Sequence, residues 1–118
     1  MQNNRRVGGA HETLATLELE RLGYKILENN FRCRIGEIDI IALHKGYLVF
    51  IEVKYRSNAK KGSPIEAVDF RKQMRISKVA RYYMYEKRLA DSTPVRFDVI
   101  GILKTDITYI ENAFTYIG

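Results

Sequence analysis

Two runs of residues constrain the fold more than anything else in the chain: Gly36-Glu37-Ile38-Asp39-Ile40-Ile41-Ala42-Leu43 and Tyr47-Leu48-Val49-Phe50-Ile51-Glu52-Val53-Lys54, either side of His44-Lys45-Gly46. Both are rich in Ile, Val, Leu and Phe, no Pro interrupts them, and the turn between them holds a Gly, which predicts a β-hairpin. Side chains alternate across a strand, so Leu48, Phe50, Glu52 and Lys54 share one side while Val49, Ile51 and Val53 share the other. A strand apolar on both sides belongs in the middle of a sheet. A Glu and a Lys at the end of such a strand need partners or a task, because unpaired buried charge is costly.

Asp39 supplies one. A four-residue loop, His44 to Tyr47, sets Leu43 opposite Leu48 and Asp39 opposite Glu52, on one face with β-carbons about 4.5 to 5.5 Å apart. Two carboxylates that close repel, unless one takes a proton or a divalent cation bridges them. Mg²⁺ (or Mn²⁺) suits the pair: Mg²⁺ accepts one or two carboxylates, keeps several waters and binds substrate phosphate. Lys54 stands on the same face, placed to hold or polarise a water or to neutralise charge on a phosphate. The competing reading is a solvated cross-strand ladder of acids and bases. The apolar residues on both sides weigh against that ladder.

The 118 residues make one domain, 1–118, and the 46% of them that are hydrophobic predict a folded chain. The net charge is +6, from 20 Lys and Arg against 14 Asp and Glu, a balance that favours a polyanionic partner such as a nucleic acid or serves solubility alone. The single Cys33 excludes an internal disulfide, and no His/Cys cluster has zinc-like spacing, so a reducing cytoplasm is the expected compartment. Met1-Gln-Asn-Asn-Arg-Arg-Val-Gly-Gly has basic residues with no apolar segment after them, unlike a signal peptide. No apolar run approaches the roughly 20 residues that span a bilayer.

A helix is expected from Gly8-Gly9 to about Leu22, ended by Gly23. Ala15, Leu19 and Leu22 lie on one of its faces with Glu12, which either serves the helix dipole or projects into a site. Tyr24 to Leu27 reads as a first strand, Asn29-Asn30 as a turn or bulge, and Phe31 to Arg34 as a further extended piece. Arg32 and Arg34 share parity, and either line a rim that touches phosphate or lie in solvent. Tyr55 to Pro64 reads as a polar loop carrying Arg56, Lys60 and Lys61, natural phosphate contacts.

Helix is expected from Ile65 to about Arg88, with one break, burying Ile76, Val79, Ala80 and Tyr83. Projected backwards, that stripe brings Asp69, Lys72 and Gln73 inward. Arg71, Arg75, Lys78, Arg81, Tyr82 and Tyr85 face outward. From Lys54 to Arg88 there are eleven Lys and Arg against Glu66, Asp69 and Glu86, a net +8. Basic residues interleaved with Tyr suit a phosphate backbone with base stacking, as they suit a solvated helix face. Val95 to Ile102 is a strand in which Arg96 and Asp98 pair with each other or Asp98 joins a metal, and Ile107 to Ile110 is an edge strand.

Gly8 with Glu12, Ala15, Leu19 and Gly23, then Asn30-Phe31-Arg32, Gly36-Glu37-Ile38-Asp39-Ile40-Ile41, Phe50-Ile51-Glu52-Val53-Lys54-Tyr55-Arg56, Lys72, and Arg96-Phe97-Asp98-Val99 together resemble the YraN family of small bacterial proteins over nearly the full length. That family in turn resembles the PD-(D/E)xK nucleases, nearest to the archaeal Holliday junction resolvases. The resemblance implies an α/β, restriction endonuclease-like fold, a mixed β-sheet of about five strands with helices on both faces. It also implies a magnesium-dependent endonuclease site acting on structured or branched DNA. Asp39 matches the first acid, Glu52 the second, Lys54 the lysine and Glu12 the helix acid of the resolvase-like members; Lys72 or Gln73 matches the polar residue of the next helix. Tyr55 stands where the family usually has Thr. The resolvase-like relatives pair, which makes a homodimer an expectation. The alternative is the same fold used as a non-catalytic nucleic-acid-binding module, and a third reading is a protein-interaction scaffold.

Overall fold

The computed structural model describes the backbone of residues 6–56 and 64–117 and the side chains of 13–56 and 66–117. Helix α1 (Arg6–Arg21) is followed by strands β1 (Lys25–Arg32), β2 (Glu37–His44) and β3 (Tyr47–Arg56), a 3-10 turn (Pro64–Ala67), helix α2 (Phe70–Glu86), and strands β4 (Val95–Leu103) and β5 (Asp106–Phe114). The five strands form one mixed sheet in sequence order. β3 and β4 run parallel and every other pair antiparallel. The parallel step needs a crossover, and the segment carrying α2 makes it.

The doubly apolar β3 is the central strand, as its composition requires. On one face Leu48 and Phe50 join Ile38, Ile41, Phe97 and Val99 beneath Ile76, Val79, Ala80 and Tyr83 of α2. On the other, Val49 and Ile51 join Ile40, Ala42, Ile100 and Ile102 beneath Ala15 and Leu19 of α1. The helices therefore cover opposite faces. Gly23 closes α1 at φ +95°, with the Tyr24 amide donating back to the Leu19 carbonyl at 2.9 Å, the six-to-one bond of a left-handed cap. Among the described residues no helix is long and apolar enough to cross a membrane.

Several local expectations need correction. The hairpin turn is the two residues Lys45-Gly46, both at positive φ, with His44 paired to Tyr47, rather than a four-residue loop. Shortening the loop by a pair leaves the register intact, and Leu43 still opposes Leu48. Asn29-Asn30 is no turn: β1 runs straight through it to Arg32, absorbing a register shift between Ile26 and Glu28 and a positive φ at Asn30. Asn tolerates that conformation inside a strand, so its presence does not force reversal. The chain reverses instead at Cys33–Gly36, closed by paired backbone bonds between those two residues.

The helix expected from Ile65 has its one break at Val68-Asp69, between the 3-10 turn and α2. Asp69 is exposed and caps α2, its carboxylate accepting from the Lys72 amide at 2.9 Å, so it does not point inward as the projected stripe implied. The edge strand β5 extends from Asp106 to Phe114, well beyond Ile107 to Ile110.

A buried polar network lies on the α1 face. Arg96 holds Asp98 through two nitrogens, at 3.0 and 2.9 Å, and donates to the Tyr24 hydroxyl at 2.6 Å, to His44 Nδ1 at 2.9 Å and to Glu111 at 3.2 Å. Asp98 also accepts from Tyr24, Tyr109 and the Asn112 amide. The last of these bonds fills the gap left in the ladder by the β4–β5 register shift at Phe97/Val99. Tyr24 stacks on His44 at 3.7 Å. Burial and the neighbouring Arg96 push the His44 imidazole below its usual range. An arginine donates only, so Nδ1 is the acceptor and the ring is neutral. Asp98 is thus a structural partner of Arg96, and this cluster holds β4, β5, β2 and the start of β1 together.

Candidate metal and phosphate cleft

The hairpin ladder stops at Ile40↔Ile51, one step before Asp39 would meet Glu52. The cause is local to β2. Ile38 and Ile41, three residues apart, both sit on the α2 face, while Ile40 sits on the α1 face. Strict alternation cannot do that, so β2 changes face at Asp39. The Asp39 carboxylate takes over the missing rung, accepting from the Val53 amide at 2.8 Å. This bond ties Asp39 to the residue after Glu52, where the sequence suggested a directly opposed pair.

Both carboxylates line one cleft of about 540 Å³, with Arg32, Cys33, Gly36, Glu37, Val53, Lys72, Arg75 and Ile76. β3 supplies Glu52 on the side covered by α2. The first two turns of α2 supply Lys72 and Arg75, and the Cys33–Gly36 turn supplies the far wall. Glu52 is buried, and its Oε2 is shared by two ammonium groups, Lys72 Nζ at 3.2 Å and Lys54 Nζ at 3.4 Å. Burial, and then contact with Lys72, push the Lys54 ammonium below its usual range against the pull of Glu52. Burial opposes the charge of Lys72 too, but contacts with Lys54, Glu52 and Asp39 outweigh it and hold that ammonium up.

The other expected residues are distributed unevenly. Arg32 stands at the mouth of the cleft, mostly exposed and paired with Glu37 at 2.9 Å. Arg34 is exposed beyond the wall, and Arg56 closes β3 with a buried Nε that has no hydrogen-bond partner among the described residues. Gln73 does not line the cleft: its amide donates to the Val68 carbonyl at 2.8 Å and secures the start of α2. Glu12 lies in α1, but its side chain, like Lys60 and Lys61, falls outside the described residues.

Two wall residues were given no part by the sequence. Glu37 holds Arg32, and a pairing across a turn leaves no periodic signal. Gly36 lies under α2: a β-carbon there would meet Arg75 Cδ at 3.0 Å and Cγ at 3.2 Å. Its lack of a side chain lets the stem of Arg75, another lining residue of the cleft, lie against the turn.

The arrangement sets an acidic floor, Asp39 and Glu52, under a rim of cations. Among the described residues no three His, Cys, Asp or Glu side chains form a metal-holding group. A cage for zinc is therefore not present in that set. Asp39 and Glu52 are the residues in the cleft that could hold a Mg²⁺, an ion that draws most of its remaining ligands from water and phosphate.

The model of the uncharacterised protein family UPF0102 matches residues 11–102. Similar curated proteins, each described as a UPF0102 protein, come from Lachnoclostridium phytofermentans, 53% identical over 98% of both chains, and from Caldanaerobacter subterraneus subsp. tengcongensis, 48% identical over 85% of this chain and 81% of the relative. A third, from Clostridium botulinum, is 45% identical over 94% of this chain and 95% of its own.

Proposed function

The chain belongs to the UPF0102, or YraN, family, and from that membership and its cleft we propose that it is a metal-dependent DNA endonuclease on a restriction endonuclease-like fold. The carrying observation is that Asp39 and Glu52 line one cleft, with Lys54 on Glu52 and Lys72, Arg75 and Arg32 around the mouth. Asp39 and Glu52 would hold Mg²⁺ or Mn²⁺, with Glu12 as the helix acid that the family resemblance assigns. The bound ion supplies charge to offset that developing on the phosphate. Lys54, beside Glu52 on β3, orients the attacking water. Arg32, Arg75 and Lys72 seat the phosphate, and Arg34 and Arg56 add to the basic surface; Lys60 and Lys61, outside the described residues, are phosphate contacts on sequence grounds alone. Branched DNA is the preferred substrate on the same resemblance.

Cleavage of branched, flapped and linear DNA with Mg²⁺ and with Mn²⁺ tests the proposal. Lys54→Ala is expected to lose roughly 100-fold or more in rate on whichever substrate the wild type cuts, the usual scale for removing a group that stabilises transition-state charge. Equal behaviour of wild type and Lys54→Ala on every substrate would remove the catalytic claim. One observation favours the second reading, a binding module without cleavage: Glu52 is already neutralised by two lysines. That reading expects binding with steep salt dependence and no carboxylate-dependent uptake of divalent ion.

The rim makes its own prediction. Gly36→Val should push the stem of Arg75 off the turn and weaken duplex binding as much as Arg75→Ala does, each lowering the salt slope by about one. Anisotropy titrations over a range of salt read this directly. A normal slope in Gly36→Val would show that Arg75 does not depend on the glycine for its place.

A further inference from the structure

The side-chain contacts of Glu52 are shared between two elements of the fold, β3 and α2. One oxygen, Oε2, accepts from two ammonium groups, 3.2 and 3.4 Å away, so the positive charge that an ion would bring is already supplied by the protein. The two lysines are not equivalent. Lys54 rises from β3, two residues from Glu52, with its side chain 22% exposed, and is tied to the sheet. Lys72 reaches in from the first turn of α2 with its side chain 34% exposed.

The backbone of Lys72 is fixed twice over, by Asp69 accepting from its own amide and by Gln73 donating to Val68. Its long side chain is therefore anchored at the helix, while its ammonium, at the far end of a one-third-exposed side chain, is held by the Glu52 contact. It lies between the floor, where Glu52 and Asp39 attract it, and the rim beside Arg75, where a phosphate would attract it.

We propose that Lys72 is a displaceable internal counter-ion of the Glu52–Asp39 pair, which divalent cation must expel and which an arriving phosphodiester draws to the rim. This rests on the metal-site reading above and adds a regulation to it. A divalent ion entering between the carboxylates meets repulsion from both ammonium groups, and the lysine on the helix is the one with room to leave. Phosphate at the mouth gives that lysine a new partner, so each ligand eases the binding of the other. The site is thereby kept poorly loaded until DNA is present.

Calorimetric titration of the full chain with Mn²⁺ alone, without nucleic acid, tests this. Lys72→Gln is expected to bind Mn²⁺ about tenfold more tightly than wild type, and Lys72→Arg, which keeps the charge, to stay near wild type. Anisotropy of a labelled duplex, with and without Mn²⁺, gives the coupling: the gain in DNA affinity on adding the ion should be larger in wild type than in Lys72→Gln. Should Lys72→Gln and wild type take up Mn²⁺ with equal affinity, the counter-ion role is overturned while the metal site stands. Should neither take up Mn²⁺, both readings fall. Lys72 is on the exposed start of a capped helix, and superimposable melting curves show that each variant is folded.

Discussion

Asp98→Asn should lose about 3–5 kcal/mol of folding stability, read as a fall in the urea midpoint at unchanged slope. The side chains of Arg96 and Asp98 are 5% and 0% exposed, so the guanidinium left behind has no water to turn to. Glu111 remains at 3.2 Å, but it is half exposed and offsets only part of the charge. Tyr24 and Tyr109 share Oδ2 while the Asn112 amide uses Oδ1, so the single carbonyl oxygen of Asn serves one of these positions and turns an NH2 toward the donors at the other. Against the 5–15 kcal/mol that holds a typical domain, such a loss brings the fold to the edge of its range. The apolar double replacement Arg96→Met with Asp98→Leu should recover much of it, since a well-packed hydrophobic pair can match a buried ion pair. A single Asp98→Asn variant within about 1 kcal/mol of wild type would mean that this network is not a principal support of the sheet.

How much of this was legible beforehand depends on whether the signal was periodic. The central place of β3 followed from apolar residues at every position from Leu48 to Ile51, and the pairing of Arg96 with Asp98 from their shared parity. The hairpin register followed too, because turns of two and of four residues differ by a whole pair and leave Leu43 opposite Leu48. What was missed lies where local chemistry overrides period. Asp69 sits in phase with the inward stripe of α2 but is drawn out of it by the unpaired amides of the first turn. Asn29-Asn30 carries a turn composition, yet the ladder to β2 continues past it because Phe31 gains a place against Tyr83.

Beyond the Arg96–Asp98 pair, the polar network could not have been read from spacing. Tyr24, His44, Arg96 and Tyr109 are brought together only when β2, β4 and β5 form one sheet. The site itself was half visible. Both acids and Lys54 were placed on the hairpin, whereas the change of face at Asp39 and the contact of Gly36 with Arg75 are tertiary.

Glu52→Gln separates the chemistry of the cleft from its stability. Glu52 is the shared acceptor of Lys54 and Lys72, so the neutral amide leaves two ammonium groups facing one another. Unlike Arg96, both lysines are partly exposed, and Lys72 has room to move its charge into water. The cost in stability should therefore be about 1 kcal/mol, far below that of Asp98→Asn. Function should change much more. With one acid left, uptake of Mn²⁺ is expected to disappear and cleavage to fall by about 100-fold or more, because the developing charge on the phosphate loses the ion that offsets it. Calorimetry and the cleavage panel measure these separately, on a variant whose melting curve shows it to be folded. If Glu52→Gln instead melts as early as Asp98→Asn, the Glu52 cluster is a structural support like the one on the opposite face. If it binds Mn²⁺ and cuts DNA as the wild type does, the carboxylate pair is not a metal site.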